Sequence, residues 1–227
     1  MADLGSRVDP TLGPYRGKRF VDLAVVVAVA LPAGLVSVVA AALIKVTSPG
    51  PVLFRQQRVG YRGEIFEVLK FRTMVDRDHA AQVGDDVITP VGRILRRFAL
   101  DELPQLINIW RGDMSIVGPR PTLAYQAAQW NDQQVQRLAV RPGLTGLAQV
   151  SGRNDLSWPE RIAFDVRYVD QQSWRFDLTI VARTVGVLLS GSGSGLTAAD
   201  DPLASAPEPT LGEPDPGSES HETDERD

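Results

Sequence analysis

Two adjacent acids, Asp101 and Glu102, are the sharpest chemical feature of the sequence, and they directly follow a run that contains Arg96 and Arg97. One interpretation is helix capping, with Asp101 as the N-cap and Glu102 in the first helical turn. The other is chemical, because two carboxylates at one helix end can share Mg²⁺ with phosphate oxygens, and a carboxylate can attack a phosphoryl group. The spacing alone leaves both interpretations open.

Arginines in rigid segments could supply phosphate-binding groups. Arg120 lies between Pro119 and Pro121, which fix the backbone on both sides, and its planar guanidinium matches phosphate oxygens. Arg141 begins a segment rich in Gly and Pro, and Arg153 follows shortly after it. A surface arginine in a rigid turn, or an ordinary loop with salt bridges, is the alternative for these segments.

Asp165 is a candidate because of its predicted surroundings. It falls on the apolar stripe that Ile162, Val166 and Val169 form on a predicted helix. A carboxylate on such a face must be paired or functional. A structural salt bridge and a role in handling phosphate are therefore both open.

The composition excludes several kinds of chemistry. The chain has no Cys, which rules out disulfides, thiol catalysis and Cys-ligated zinc, and its two His argue against a His-rich metal site or a Ser-His-Asp triad. Residues 197–227 hold ten acids and one base, a net charge of −9, so the rest of the chain carries +5 although the total is −4. We expect a basic body that handles phosphates and a disordered acidic tail.

An uncharged run of 22 residues, 23–44, indicates a membrane segment. A straight helix of this length would be roughly 33 Å long, about the hydrocarbon thickness of a bilayer, whereas a cleaved signal peptide has a shorter apolar region. Pro32 and Gly34 interrupt the run, and Lys or Arg residues flank both of its ends. These features favour a re-entrant helix hairpin, broken at Pro32, over a single-pass span.

The remaining sequence predicts a small α+β domain with a short β-hairpin and several surface or amphipathic helices. Residues 52–57 and 64–71 are typical of paired strands. Helices are predicted over 92–99, 101–110, 122–138, 158–171 and 178–189. Ser157 and Glu160 have the spacing of a capping box, and we expect Asp177 to cap the last helix. No βαβ alternation is recognisable.

Five blocks of sequence resemble a single family. They are residues 47–56 (TSPGPVLFRQ), 70–74 (KFRTM), 100–106 (LDELPQL), 112–121 (GDMSIVGPRP) and 141–146 (RPGLTG). Together and in this order they are similar to the bacterial sugar transferase family, the monotopic polyprenyl-phosphate phosphoglycosyl transferases. The resemblance runs from about Lys18 to Leu189 and indicates the minimal catalytic core.

The resemblance implies a reaction at the cytoplasmic face of the bacterial inner membrane. Sugar-1-phosphate would pass from a UDP-sugar to a polyprenyl phosphate, expected to be undecaprenyl phosphate, with release of UMP, as the first membrane step of glycan assembly. Asp101 matches the family's nucleophile. Glu102 matches the second acid of the dyad and, with Asp101, a site for Mg²⁺. The resemblance does not identify the sugar.

Further site residues carry over from the same resemblance. We assign seven residues to substrate or phosphate binding: Lys70, Arg72, Arg120, Pro121, Arg141, Arg153 and Asp165. Arg141 and Arg153 are the weaker matches. The family also has a re-entrant helix, commonly broken at a Ser-Pro pair, whereas Leu31 precedes Pro32 here, so the break point is open.

We expect four segments: an N-terminal segment (1–17), the re-entrant membrane helix (18–46), the catalytic domain (47–190) and the acidic tail (191–227). Expected partners are the UDP-sugar, the lipid phosphate and one membrane leaflet, with a homodimer and downstream glycosyltransferases as further options and no nucleic acid. A rival interpretation is a non-catalytic, membrane-anchored subunit that binds nucleotide-sugar or scaffolds a glycan assembly complex. Asp101 and Glu102 argue against it, because a scaffold needs no nucleophile beside a metal ligand.

Overall fold

The computed structural model describes residues 3–75, 87–152 and 156–189, which form a mixed α+β fold, as predicted. The helices are α1 (Lys18–Thr47), α2 (Pro90–Arg97), α3 (Gln105–Arg111), α4 (Ala124–Ala127), α5 (Asp132–Val135), α6 (Leu147–Ser151), α7 (Trp158–Gln171) and α8 (Trp174–Leu189). The strands are β1 (Leu53–Val59), β2 (Ile65–Phe71), β3 (Ser115–Val117) and β4 (Gly143–Thr145). Arg153 and the acidic tail lie outside the described residues.

The predicted β-hairpin is confirmed. β1 and β2 pair antiparallel, from Leu53 opposite Phe71 to Val59 opposite Ile65, and the first strand runs two residues further than predicted. The connection closes with a hydrogen bond from the Gly60 amide to the Glu64 carbonyl, 2.7 Å long. This hairpin carries the predicted site residue Lys70 near the end of its second strand.

A second, parallel pair of strands was not predicted. Ser115 of β3 lies opposite Gly143 of β4, and Val117 lies opposite Thr145. The predicted single helix over 122–138 between these strands is wrong, because the chain there forms α4, α5 and a 3-10 turn. Asn131 starts α5 by accepting a 2.9 Å hydrogen bond from the Gln134 amide, which breaks the helix.

Local signals correctly predict α7 but not the start of α8. Ser157 and Glu160 form the predicted capping box of α7. α8 begins at Trp174, and Ser173 Oγ accepts the amide of Phe176 at 3.3 Å. The prediction that Asp177 caps this helix is therefore wrong. Its carboxylate is buried among tertiary partners instead.

Those tertiary partners of Asp177 fix the start of α1. Lys18 Nζ lies 2.6 Å from Asp177 and 3.3 Å from Asp22, and both acids are almost fully buried. The hydroxyls of Tyr15 and Tyr168 donate to Asp177 at 2.9 and 2.8 Å. Asp22 accepts from the Ser115 hydroxyl at 2.9 Å. A buried network thus joins α1, β3, α7 and α8.

Two apolar clusters hold the elements together. The main core includes the fully buried side chains Ile109, Met114, Val117, Tyr168 and Ile180. A smaller cluster consists of Ala40, Ile44, Phe71 and Leu95. Val26, near the start of α1, belongs to the main core, so this helix packs against one cluster at each end.

The middle of α1 is apolar and faces outward, with Leu31 74% and Val38 70% exposed. By length and composition the helix could cross a membrane, which indicates membrane association. It is a single helix from Lys18 to Thr47 with Pro32 inside it, so the predicted hairpin is not shown.

The segment before α1 packs against the part of the chain that follows the β-hairpin. Leu4 and Val8 lie in the main core. Arg7 forms a 2.8 Å ion pair with Asp132 and donates to the Trp130 carbonyl at 2.8 Å. Residues 3–17 therefore brace the region of α4 and α5.

Candidate active site

Three charged side chains from separate parts of the chain meet at Glu102. Lys70 Nζ lies 2.8 Å and Arg120 Nη2 lies 3.1 Å from Glu102 Oε1. Lys70 comes from β2, Glu102 from the 3-10 turn Leu100–Glu102, and Arg120 from the loop after β3. The Glu102 side chain is 13% exposed and that of Arg120 is 44% exposed. Both cations therefore neutralise a largely buried carboxylate.

Asp101 is placed by a tight turn rather than by a helix cap. α2 ends at Arg97, and Ala99 has a left-handed backbone with φ of 53° just before the turn. A left-handed alanine costs about 1 kcal/mol or more, and such strain is found at functional sites. α3 begins only at Gln105, with Pro104 at its N-cap position. The capping interpretation of the two acids is therefore wrong.

The pKa values of the two acids are shifted in opposite directions. Burial raises the pKa of Glu102, but Lys70 and Arg120 outweigh burial and hold this pKa at about 2. Burial and then the charge of Glu102 raise the pKa of Asp101, against the opposing effects of Lys70, Arg96 and Arg120. Carboxylates whose pKa values are driven apart can take different roles. Glu102 is therefore held ionised, whereas the Asp101 carboxyl binds a proton more readily than an isolated aspartate does.

Asn108 links the strand that carries Lys70 to the helix that follows the acidic turn Leu100–Glu102. Its buried side chain accepts a 3.0 Å hydrogen bond from the Leu69 amide and donates 2.7 Å to the Glu67 carbonyl. The amide thereby acts as one more partner for β2. Because Asn108 is on α3, directly after the acidic turn, it fixes the strand of Lys70 against that turn.

Close backbone contacts hold the loop of Arg120 and Pro121. The Thr122 carbonyl accepts the Val59 amide at 2.8 Å, which ties the loop to β1. A Cβ added at Gly118 would lie 2.4 Å from the Arg141 carbonyl oxygen, so only glycine allows this approach. Two rigid segments that looked separate in the sequence thus support each other.

Two predicted phosphate-binding arginines have other partners. Arg72 is buried and donates to the carbonyl and hydroxyl oxygens of Ser48 at 2.9 and 2.6 Å, which fastens the end of α1. Arg141 donates from Nε to the Gly112 carbonyl at 2.6 Å and lies 5.3 Å from the ring centre of Tyr61. Neither is paired with Glu102, and their roles toward phosphate stay predictions.

Asp165 is paired, as its apolar face required. Its side chain is buried and forms an ion pair with Arg137. Burial raises the pKa of Asp165 to about 6, against the opposing effects of Arg137 and Arg120. The structure therefore shows the salt bridge that was one of the two alternatives for Asp165. A role of Asp165 in handling phosphate stays a prediction.

Two arginines near the site, Arg96 and Arg137, are not among the site residues predicted from the sequence. Arg96 donates to Thr73 Oγ1 at 2.9 Å, and its charge acts on Asp101. In the sequence it is one base in a run, and nothing separates it from Arg97. Arg137 lies in the wrongly predicted long helix, where its burial cannot be foreseen.

The paired acids suit a hard cation. Among the described residues, none donates a hydrogen bond to the Asp101 side chain, and Lys70 and Arg120 both use the same oxygen of Glu102. Mg²⁺ takes one or two carboxylates together with substrate phosphate oxygens, which fits this donor set. The described ranges contain no group of three or more acids and histidines that could form a protein-only metal site.

Residues 14–191 match the family described as Bacterial sugar transferase, and the chain belongs to that family. The "Uncharacterized sugar transferase EpsL" of Bacillus subtilis (strain 168) is 38% identical over 179 residues, which are 78% of this chain and 89% of the relative. A "UDP-glucose:undecaprenyl-phosphate glucose-1-phosphate transferase" of Caulobacter vibrioides is 49% identical over 191 residues, 76% of this chain and 70% of the relative.

A further relative is matched over a smaller share of its own length. The "Undecaprenyl-phosphate galactose phosphotransferase" of Salmonella typhimurium is 38% identical over 166 residues, which are 64% of this chain but 35% of the relative. The names of these two transferases differ in the sugar, which is glucose for the Caulobacter relative and galactose for the Salmonella relative.

Proposed function

We propose that this protein is a UDP-sugar:undecaprenyl-phosphate sugar-1-phosphate transferase for exopolysaccharide or capsule synthesis. Family membership and the names of the relatives support the reaction. The residues are assigned on one observation: the pKa values of the adjacent acids Asp101 and Glu102 are shifted in opposite directions. Asp101 has a raised pKa beside Glu102, whose charge is fixed by Lys70 and Arg120.

In the first step the Asp101 carboxylate attacks the sugar-bearing phosphorus of the UDP-sugar. A bond forms between an Asp101 oxygen and phosphorus, and the bond from that phosphorus to the bridging oxygen breaks. UMP leaves with the electron pair, and a phosphosugar-aspartyl intermediate remains. Lys70 and Arg120, only partly buried at 26% and 44% exposure, are suited to stabilise negative charge on the transferring phosphate.

In the second step an oxygen of the lipid phosphate attacks the same phosphorus. The Asp101 carboxylate leaves, and a polyprenyl diphosphosugar forms. A covalent intermediate lets a soluble donor and a lipid acceptor use one nucleophile in turn. Mg²⁺, held by Asp101 and Glu102 with substrate phosphates, would neutralise charge on the diphosphate.

The test is UMP release from a panel of UDP-sugars with Mg²⁺. Asp101→Asn is expected to abolish release, whereas Asp170→Asn, which changes an exposed acid on α7, should leave it unchanged. Donor labelled in the sugar phosphate should label the wild-type chain in the absence of lipid. Wild-type activity in Asp101→Asn would overturn the nucleophile assignment, and the panel identifies the sugar.

We further propose that α1 is re-entrant and that both of its ends lie at the cytoplasmic face. The support is that Val26 near its start and Ala40 and Ile44 near its end pack against the same folded body. A spanning helix would place those ends on opposite sides of the bilayer. The folded body that contacts both ends would then have to lie within the lipid, where its buried charges are unfavourable.

Cysteine labelling in intact cells tests this topology. The chain has no native Cys, and Arg16 and Gln57 are exposed positions before and after α1. Arg16→Cys and Gln57→Cys should both resist a membrane-impermeant reagent until the cells are opened. Labelling of one position but not the other in intact cells would exclude the re-entrant arrangement.

A further inference from the structure

Arg137 is a buried arginine whose guanidinium contacts four other residues. It is 3% exposed, and it donates from Nη1 to Thr122 Oγ1 at 3.0 Å and from Nη2 to the Arg120 carbonyl at 2.9 Å. It pairs with Asp165 of α7, and its guanidinium carbon lies 4.7 Å from the ring centre of Trp130. These contacts leave the guanidinium a single orientation.

The Arg137 contacts fix one peptide group of the active-site loop. The Arg120 carbonyl accepts from Arg137 and also from Thr122 Oγ1 at 3.2 Å. The side chain of the same residue reaches Glu102 at 3.1 Å. The buried guanidinium of Arg137 therefore holds the backbone of Arg120, whose own exposed guanidinium contacts Glu102.

Fold stability alone does not account for the Arg137–Asp165 pair. Buried ion pairs can often be replaced by apolar side chains of similar volume without loss of stability. One carboxylate oxygen of Asp165 is buried and has no hydrogen-bond partner among the residues that the structure describes, which adds a desolvation cost. The pair also fixes the conformation of the loop that carries Arg120, and this gives it a role beyond stability.

We propose that Arg137 is a positioning residue for the phosphoryl transfer, and that Asp165 acts through Arg137 on Arg120 instead of touching the substrate. The proposal rests on the proposed function. Misplacing a charge-stabilising group by about 1 Å can cost on the order of 100-fold in rate. The loss should therefore appear in catalysis even when the fold is intact.

The main test replaces the pair without leaving a lone buried charge. The double variant Arg137→Met/Asp165→Leu should keep wild-type thermal stability or exceed it, while the rate of UMP release falls by about 10- to 100-fold. The matched control is Arg167→Met/Gln171→Leu, which removes an exposed polar contact from the same helix and should leave both measurements unchanged. Wild-type rates in the first double variant would overturn the proposal.

A coupling experiment separates positioning from a general effect on structure. In an Arg120→Ala background, the Met/Leu replacement should cause little further loss, because the side chain that Arg137 positions is already gone. The same fold-loss in both backgrounds would show that Arg137 does not act through Arg120. Failure of the proposed function is distinguishable, since the wild-type protein itself would then release no UMP.

Discussion

The ion pairs of Glu102 with Lys70 and Arg120 predict that the protein loses stability as the pH falls below 4.5. Lys70 and Arg120 overcome the effect of burial and lower the pKa of Glu102 from its ordinary 4.5 to about 2. The folded state therefore binds this proton more weakly than the unfolded state. The resulting stabilisation is present above pH 4.5 and is lost as the pH falls toward 2. Linkage gives a loss of about 2 kcal/mol in the free energy of unfolding between pH 6 and pH 3.

The perturbation is Glu102→Gln, and the assay is denaturant unfolding in detergent micelles at several pH values from 6 to 3. The stability advantage of the wild type over the variant should shrink by about 2 kcal/mol across this range. Glu64→Gln, which changes an exposed acid, serves as the control. If wild type and Glu102→Gln lose stability in parallel, Glu102 is not held between Lys70 and Arg120 as described.

Three further changes test the scaffold by denaturant unfolding. Lys18→Met leaves two buried carboxylates without their ammonium partner and should lower the free energy of unfolding by about 3–5 kcal/mol. Lys45→Met, at an exposed position, should lower it little, and equal losses in the two variants would contradict the buried network. Asn108→Ala should cost about 2–4 kcal/mol and slow UMP release, because it leaves backbone groups of β2 unpaired; unchanged stability would exclude this role. Gly118→Ala should destabilise through its clash with a carbonyl, while Gly186→Ala, which meets nothing within 4 Å, should be neutral or stabilising; the reverse order would contradict the packing.

The elements that the sequence predicts correctly have local signals. The β-hairpin is marked by glycines between two short β-type runs, and α7 is marked by the capping box of Ser157 and Glu160. The contact of Lys70 and Arg120 with Glu102 is different, because it joins residues 32 and 18 positions apart. Spacing could not predict it, and the family resemblance only indicated that these residues belong to one site.

The elements that were missed depend on tertiary contacts or on a weaker local signal. Asp177 sits where a cap would be, but Lys18, 159 positions away, and two tyrosine hydroxyls bind its carboxylate instead. β3 and β4 are three residues each, too short for a pattern to stand out. Asn131 and Gln134 form a capping box within the run 122–138, a local signal that could have divided the predicted helix.

The attachment of α1 at both ends has a consequence for the lipid. A single-pass helix adjusts its tilt to the thickness of the bilayer, whereas a helix fastened near Val26 and again near Ile44 has its depth set by the protein. In the proposed re-entrant arrangement, the fold therefore sets the height of the candidate site above the headgroups. We then expect the rate of UMP release to vary little with the acyl-chain length of the bilayer.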